Sequence, residues 1–461
     1  MRRFLVPALA VVLLAAPAAA WADAASPAAG KEPPLDPRLQ WFVDGKLGIF
    51  LHWGLYSVFG ISESWAFYNG EINYEDYMQQ KGGFTAARYD PAAWAALFKE
   101  AGARYAVLTS KHHEGFALWD TKLGALNVMQ TPAKRDLLAP YAAALRAEGL
   151  KVGFYFSHLD WSHPDYATVR PKDMKPTTRG NPFAFPEAGK EDPSRWKRFL
   201  AFHRGQIREL SERYKPDLFW FDGDWERDAE QWDMKGLREQ ILSWQPGTIL
   251  NSRMRGYGDY ATPEQGLPIV PPEGPWELCM TVNDSWGYQF KDHNHKPTGQ
   301  IIRTFAEIVG MGGNLLLDIG PYADGSLQPE QVERLKGLGR WTRKHAEAIY
   351  GTVRGLPFGH FYGPTTLSKD RRTLYLFVFD TPRDAIAVKG VRNKIERVFV
   401  VGRGEPVIWS RSGGADWMNI PGILRIDVPK EALDEEVTVV GVRLEGPLDL
   451  YHGAGGAVES N

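Results

Sequence analysis

The chain is 461 residues long, with 44% apolar residues, 54 basic and 56 acidic side chains, and a formal net charge of −2. That length exceeds one ordinary domain and predicts a large core with a smaller unit beside it, while the apolar share excludes a disordered or fibrous chain. No basic stripe speaks for nucleic acid, and a single cysteine, Cys279, leaves packing rather than cross-links to hold the fold.

Met1, Arg2 and Arg3, an apolar run over residues 4–19 and the small-x-small site Ala20-Trp21-Ala22 read as a secretory signal peptide over 1–22. The run is short for a membrane span of about 20 residues. An exported chain is therefore expected, periplasmic or secreted, starting near Asp23 and without an integral membrane segment. Losing Arg2 and Arg3 leaves 52 basic against 56 acidic residues, a net charge of −4. Residues 23–37, rich in Pro, Ala and Gly, read as a leader.

From there apolar runs alternate with amphipathic ones. Strands are expected at 46–53, 104–110, 151–157, 217–221, 248–252, 276–282 and 314–319. Helices are expected over 90–102, opened by Asp90-Pro91 and closed by Gly102, over 138–148 with Gly149 as the stop, and over 195–214, 234–242, 301–309 and 328–345. Strands apolar throughout and each followed by a helix predict parallel strands buried on both faces. Seven visible units favour a closed (β/α)8-like barrel over 38–354 rather than an open doubly wound sheet. After Gly355 the runs at 373–379, 385–389, 397–401, 406–410, 423–428 and 436–444 are short and separated by turns. They predict a C-terminal antiparallel β-sandwich over 355–445, with a tail over 446–461. Cys279, inside the run 276–282, is expected to pack as a small apolar residue.

In a β/α barrel, chemistry belongs to the loops at the carboxyl ends of the strands. His52-Trp53-Gly54 follows the first run and Lys111-His112-His113-Glu114 the second. The third carries Tyr155 and then His158, Asp160 and Trp161; the fourth ends at Asp222 and the fifth at Arg253. The sixth has Glu277 at its start, with Asn283, Asp284, Ser285 and Trp286 beyond it. Six such ends predict a pocket of aromatics and hydrogen-bonding groups. Aromatic faces suit the C–H side of a sugar, imidazole and guanidinium suit its hydroxyls, and 17 tryptophans fit that reading. In "DLFWFDGDWE", residues 217–226, Asp222 stands where the apolar strand runs out, either holding a turn or reacting. A metal-dependent hydrolase is the competing enzyme class, but the adjacent His112 and His113 would point to opposite sides of an extended strand. A non-catalytic sugar-binding protein leaves the paired acids unexplained.

On the motifs "KLGIFLHWGLYS", "YAVLTSKHHEGFALWDT", "KRDLL", "GFYFSHLDW", "DLFWFDGDW" and "DSWGY", residues 41–444 resemble the retaining α-L-fucosidases of glycoside hydrolase family 29. The resemblance implies an exo-acting enzyme that removes terminal α-L-fucosyl residues from oligosaccharides or glycoconjugates without a cofactor, through a covalent fucosyl-enzyme. Transfer of fucose to sugar acceptors is a variation on that route. It implies Asp222 as nucleophile, sugar contacts from His52, Trp65, His112, His113, Tyr155, Trp220 and Arg253, and Trp286 against the sugar's apolar face. Glu277 in "PWELCMT" is the preferred acid/base and Glu264 in "TPEQ" the alternative. Some relatives have Glu directly before the tryptophan matching Trp65; this chain has Ser64 there and Glu63 one earlier, so Glu63 is left out of the site. A retaining pair should stand about 5 to 5.5 Å apart. The linkage cleaved depends on loops around the leaving group, such as 171–193 and 226–232.

Overall fold

The structure, a computed structural model, describes residues 34–124, 126–166 and 192–452. The expected signal peptide and most of the 171–193 loop lie outside the described residues. The described residues from Pro37 onward form one compact unit.

Seven parallel strands make one sheet: β1 (Leu47–Leu51), β2 (Tyr105–Lys111), β3 (Lys151–Ser157), β4 (Leu218–Asp222), β5 (Ile249–Leu250), β6 (Glu277–Thr281) and β7 (Asn314–Ile319). Their order is β5-β4-β3-β2-β1-β7-β6. No sequence pattern marks an eighth strand, because the segment that closes the barrel is polar and broken by Pro263. Residues 260–264 fill the gap through isolated parallel bridges, Asn251 to Tyr260, Ala261 to Trp276 and Glu264 to Cys279. The result is a (β/α)8-like barrel with one irregular stave.

The helices between strands begin and end as their sequences dictate. Asp90 accepts the Ala93 N–H at 3.0 Å ahead of the helix Pro91–Ala101, and Gly102 ends it at φ +94°. Along each strand the side chains alternate between the barrel interior and the helix layer. Phe219 and Phe221 join the outer core, whereas Leu218 and Trp220 fill the interior with Phe50, Tyr105, Tyr155 and Cys279. Cys279 is buried and free, as expected of a packing residue.

Beyond the barrel lie two antiparallel sheets. β8 (Val353–Arg354), β9 (Thr365–Leu367), β10 (Thr373–Val378), β12 (Ile395–Val400) and β15 (Thr438–Leu444) form the first, in the order β12-β15-β10-β9-β8. β11 (Ile386–Val388), β14 (Ile423–Asp427) and β13 (Ile408–Ser412) form the second. The sheets share a core of Leu374, Leu376, Val388, Val398, Ile426 and Val440, the expected sandwich. β8 and β9 were too short to register as sequence runs.

Candidate active site

Asp222 closes β4 and shares the inward face with Trp220, two residues earlier. Gly223 turns the chain away at φ +79°, where a Cβ would lie 2.5 Å from Leu159, so the strand stops with its last carboxylate at the barrel mouth. Tyr155 donates its hydroxyl to Asp222 Oδ2 at 2.9 Å, and Arg253 donates Nη1 to Oδ1 at 2.6 Å. The other amino group of Arg253 donates to Glu264 Oε2, also at 2.6 Å. Burial works against the charge of Arg253, but Asp222 and Glu264 more than offset it and hold the guanidinium protonated. Its plane lies 4.6 Å over the Trp220 ring. The backbone is clamped as well: His158 N–H donates to the Asp222 carbonyl at 2.7 Å, and His158 Nε2 contacts the Arg253 carbonyl at 3.1 Å.

These groups surround a cavity of about 350 Å³ lined by Asp222, Glu264, His52, Trp65, His112, His113, Tyr155, Trp220, Arg253 and Trp286, with Phe50, Glu63 and Trp225 in addition. Every expected sugar-contacting residue is therefore present. Glu63, left out from the sequence, also reaches the cavity, where one carboxylate oxygen accepts the Gly287 N–H at 2.5 Å and burial raises its pKa.

The three histidines present different faces. Ser157 donates its hydroxyl to the Leu159 carbonyl, so the 2.6 Å contact with His113 Nδ1 has the imidazole as donor. Burial lowers the His113 pKa, leaving a neutral ring whose Nε2 lone pair faces the cavity, 3.7 Å from Asp222 Oδ2. Ser64 likewise gives its hydrogen to Glu114, so His112 Nδ1 donates to it at 2.7 Å, and the ring turns its other nitrogen to the cavity. His52 Nδ1 lies 2.6 Å from Asp318 Oδ1. Burial pushes His52 down and Asp318 up, and the short contact between them fixes the orientation of the His52 ring. Three imidazoles held at fixed positions can exchange hydrogen bonds with a pattern of hydroxyls.

Glu277 does not reach the cavity, contrary to its expected place beside Asp222. It opens β6, at the opposite end of the strand from the barrel mouth, two residues below Cys279, the bridge partner of Glu264. At about 3.3 Å per residue that is some 6 to 7 Å deeper. Its side chain is 0% exposed, accepts from Trp220 Nε1 at 3.1 Å and from the Tyr105 hydroxyl, and does not line the cavity. Glu264, 42% exposed at the side chain, does line it. His112 and His113 also differ from expectation. β2 ends at Lys111, so the pair lies past the strand and both rings face the same cavity, 4.2 Å apart. Both Nδ1 atoms are engaged by serines, and among the described residues no group of three metal-binding side chains converges. One His-x-His pair occurs, His293 with His295, away from the cavity lining.

A family model described as alpha-L-fucosidase matches residues 18–347. The chain belongs to the α-L-fucosidase family. The tissue alpha-L-fucosidase of Bos taurus is 32% identical over 352 residues, covering 69% of this chain and 71% of that one. Among solved structures, alpha-L-fucosidase isoenzyme 1 from Paenibacillus thiaminolyticus superposes with a TM-score of 0.79 at 34% identity over 89% of this chain and 99% of that one. A GH29 fucosidase from Bacteroides thetaiotaomicron, solved as a trapped covalent intermediate with 2-fluoro-fucosyl fluoride, gives 0.78 at 28% identity over 90% and 98%.

Proposed function

We infer that the protein is an exo-acting, retaining α-L-fucosidase acting on fucosylated glycans, with Asp222 as nucleophile and Glu264 as acid/base. The observation that carries the assignment is the single guanidinium of Arg253 held between the two carboxylates at 2.6 Å each, which ties both acids to one cavity. The cavity is floored by Phe50 and Trp220 and so takes a chain end rather than a chain middle.

Asp222 attacks the anomeric carbon as the bond to the leaving oxygen breaks, and Glu264 gives that oxygen its proton. Water then attacks the fucosyl ester, returns a proton to Glu264 and frees Asp222. Intercepting the ester with a sugar hydroxyl gives transfucosylation. The division into a catalytic barrel over 38–354, a sandwich over 355–445 and a tail is part of the same reading. So is export, periplasmic or secreted, supported by the N-terminal charge and apolar pattern. No described helix is long and apolar enough to cross a membrane.

The azide reaction tests the roles. Asp222→Ala should lose about a thousandfold or more in turnover and regain activity in azide with an inverted fucosyl azide. Glu264→Ala should yield the retained azide instead. Retained azide from Glu277→Ala, with Glu264→Ala unaffected, would reverse the assignment.

A further inference from the structure

A second, more open cleft of about 620 Å³ adjoins the fucose cavity, walled by Trp225, Arg227, Asp228, Gln231 and Arg255 among others. Trp225 borders both spaces and is 42% exposed, its ring within 20° of parallel to Trp65. The cleft is built by the continuation of the two loops that carry Asp222 and Arg253, since Asp224 follows Asp222, and Arg255 follows Arg253, by two residues each.

Arg255 is held for a purpose its own contacts do not use. Its Nε donates to the carbonyls of Asp224 at 2.9 Å and Arg227 at 3.1 Å, and its backbone N–H to the Asp224 carboxylate at 3.2 Å. Its backbone stands at φ +48°, a left-handed conformation that costs a non-glycine residue energy. The side chain is 37% exposed, and among the described residues neither amino nitrogen has a hydrogen-bond partner. A guanidinium anchored through Nε presents its remaining donors in fixed directions. Asp228 shares the cleft and offsets the charge, which suits a neutral, oxygen-rich ligand better than an anion.

Building on the fucosidase reading, we propose that this cleft is the leaving-group subsite and that it takes a saccharide: the C–H face of the leaving sugar rests on Trp225, and its hydroxyl or acetamido oxygens accept from Arg255. The same contacts receive a sugar acceptor in transfer.

The test compares para-nitrophenyl α-L-fucoside with the best-hydrolysed member of a panel of fucosylated oligosaccharides of differing linkage. In Arg255→Ala the ratio of kcat/KM for the oligosaccharide to that for the aryl fucoside should fall about tenfold or more, the loss of one or two charge-assisted hydrogen bonds. An unchanged ratio overturns the proposal. Should the variant fold poorly, the unmodified enzyme decides: the defucosylated oligosaccharide should competitively inhibit aryl fucoside hydrolysis, and no inhibition overturns it. A wild type that hydrolyses the aryl fucoside but none of the panel also overturns the subsite while leaving the fucosidase reading intact. A wild type inactive on both overturns that reading, and the subsite with it.

Discussion

Tyr155 shows how one hydroxyl ties the site's recognition to its chemistry. Its O–H donates to Asp222 Oδ2, its ring lies within 7° of parallel to His112 and within 18° of Trp220, and it is wholly buried. Tyr155→Phe keeps both ring contacts and removes only the donor. A lost hydrogen bond to a charged group costs about 1.5 to 3 kcal/mol, so kcat/KM on an aryl fucoside should fall by about tenfold to a hundredfold with little change in melting temperature. The expected cavity-lining residues other than Trp65 were legible because each lies at or just past the end of an apolar run, or in a quoted motif. Their supports were not: Asp318 reaches His52 across 266 residues of chain, and Ser64 and Ser157 fix tautomers through contacts that no local spacing announces. Trp225 lay inside the quoted "DLFWFDGDWE" stretch, yet nothing in the pattern separated its lining role from a turn role.

For the strands, position along the element decides role. Glu277 opens an apolar run, and in a barrel that start lies away from the reacting face, so the strand rule and the motif resemblance point to different glutamates. Burial pushes Glu277 up to about 8, against the opposing hydrogen bonds from Tyr105 and Trp220, so its carboxyl is protonated at neutral pH. An unfolded glutamate titrates near about 4.3. Between those values the folded state binds the extra proton, and this group therefore subtracts stability as pH rises from about 4 to about 8. Glu277→Gln preserves an acceptor for Trp220 while abolishing the titration. Denaturant unfolding should find the variant near wild type at pH about 4 and more stable by the order of a few kcal/mol at pH about 8, with turnover largely retained. The other strand-level miss, the closing segment, has a plain cause: residues 260–264 bond through isolated bridges, so they need no continuous apolar run.

Barrel and sandwich make one unit because the sandwich covers barrel helices. Trp341, on the helix Pro329–Lys344, donates Nε1–H to the Val437 carbonyl at 2.9 Å, Arg303 donates to the Phe379 carbonyl at 2.7 Å, and Tyr375, Phe377 and Val439 belong to the same core as the helix layer. Ending the chain after residue 354 should strip that cover and leave Phe305 and Trp341 exposed. The truncated protein is expected in the insoluble fraction on expression, whereas a soluble, active barrel would mean the sandwich is dispensable. The irregular stave carries a different consequence. Because it is tacked to its neighbours at three points, it can be lengthened, shortened or re-aimed in evolution without unravelling the cylinder. Glu264, the proposed proton donor, thus rides on the part of the architecture most open to revision, while Asp222, the proposed nucleophile, ends a strand laddered to β3.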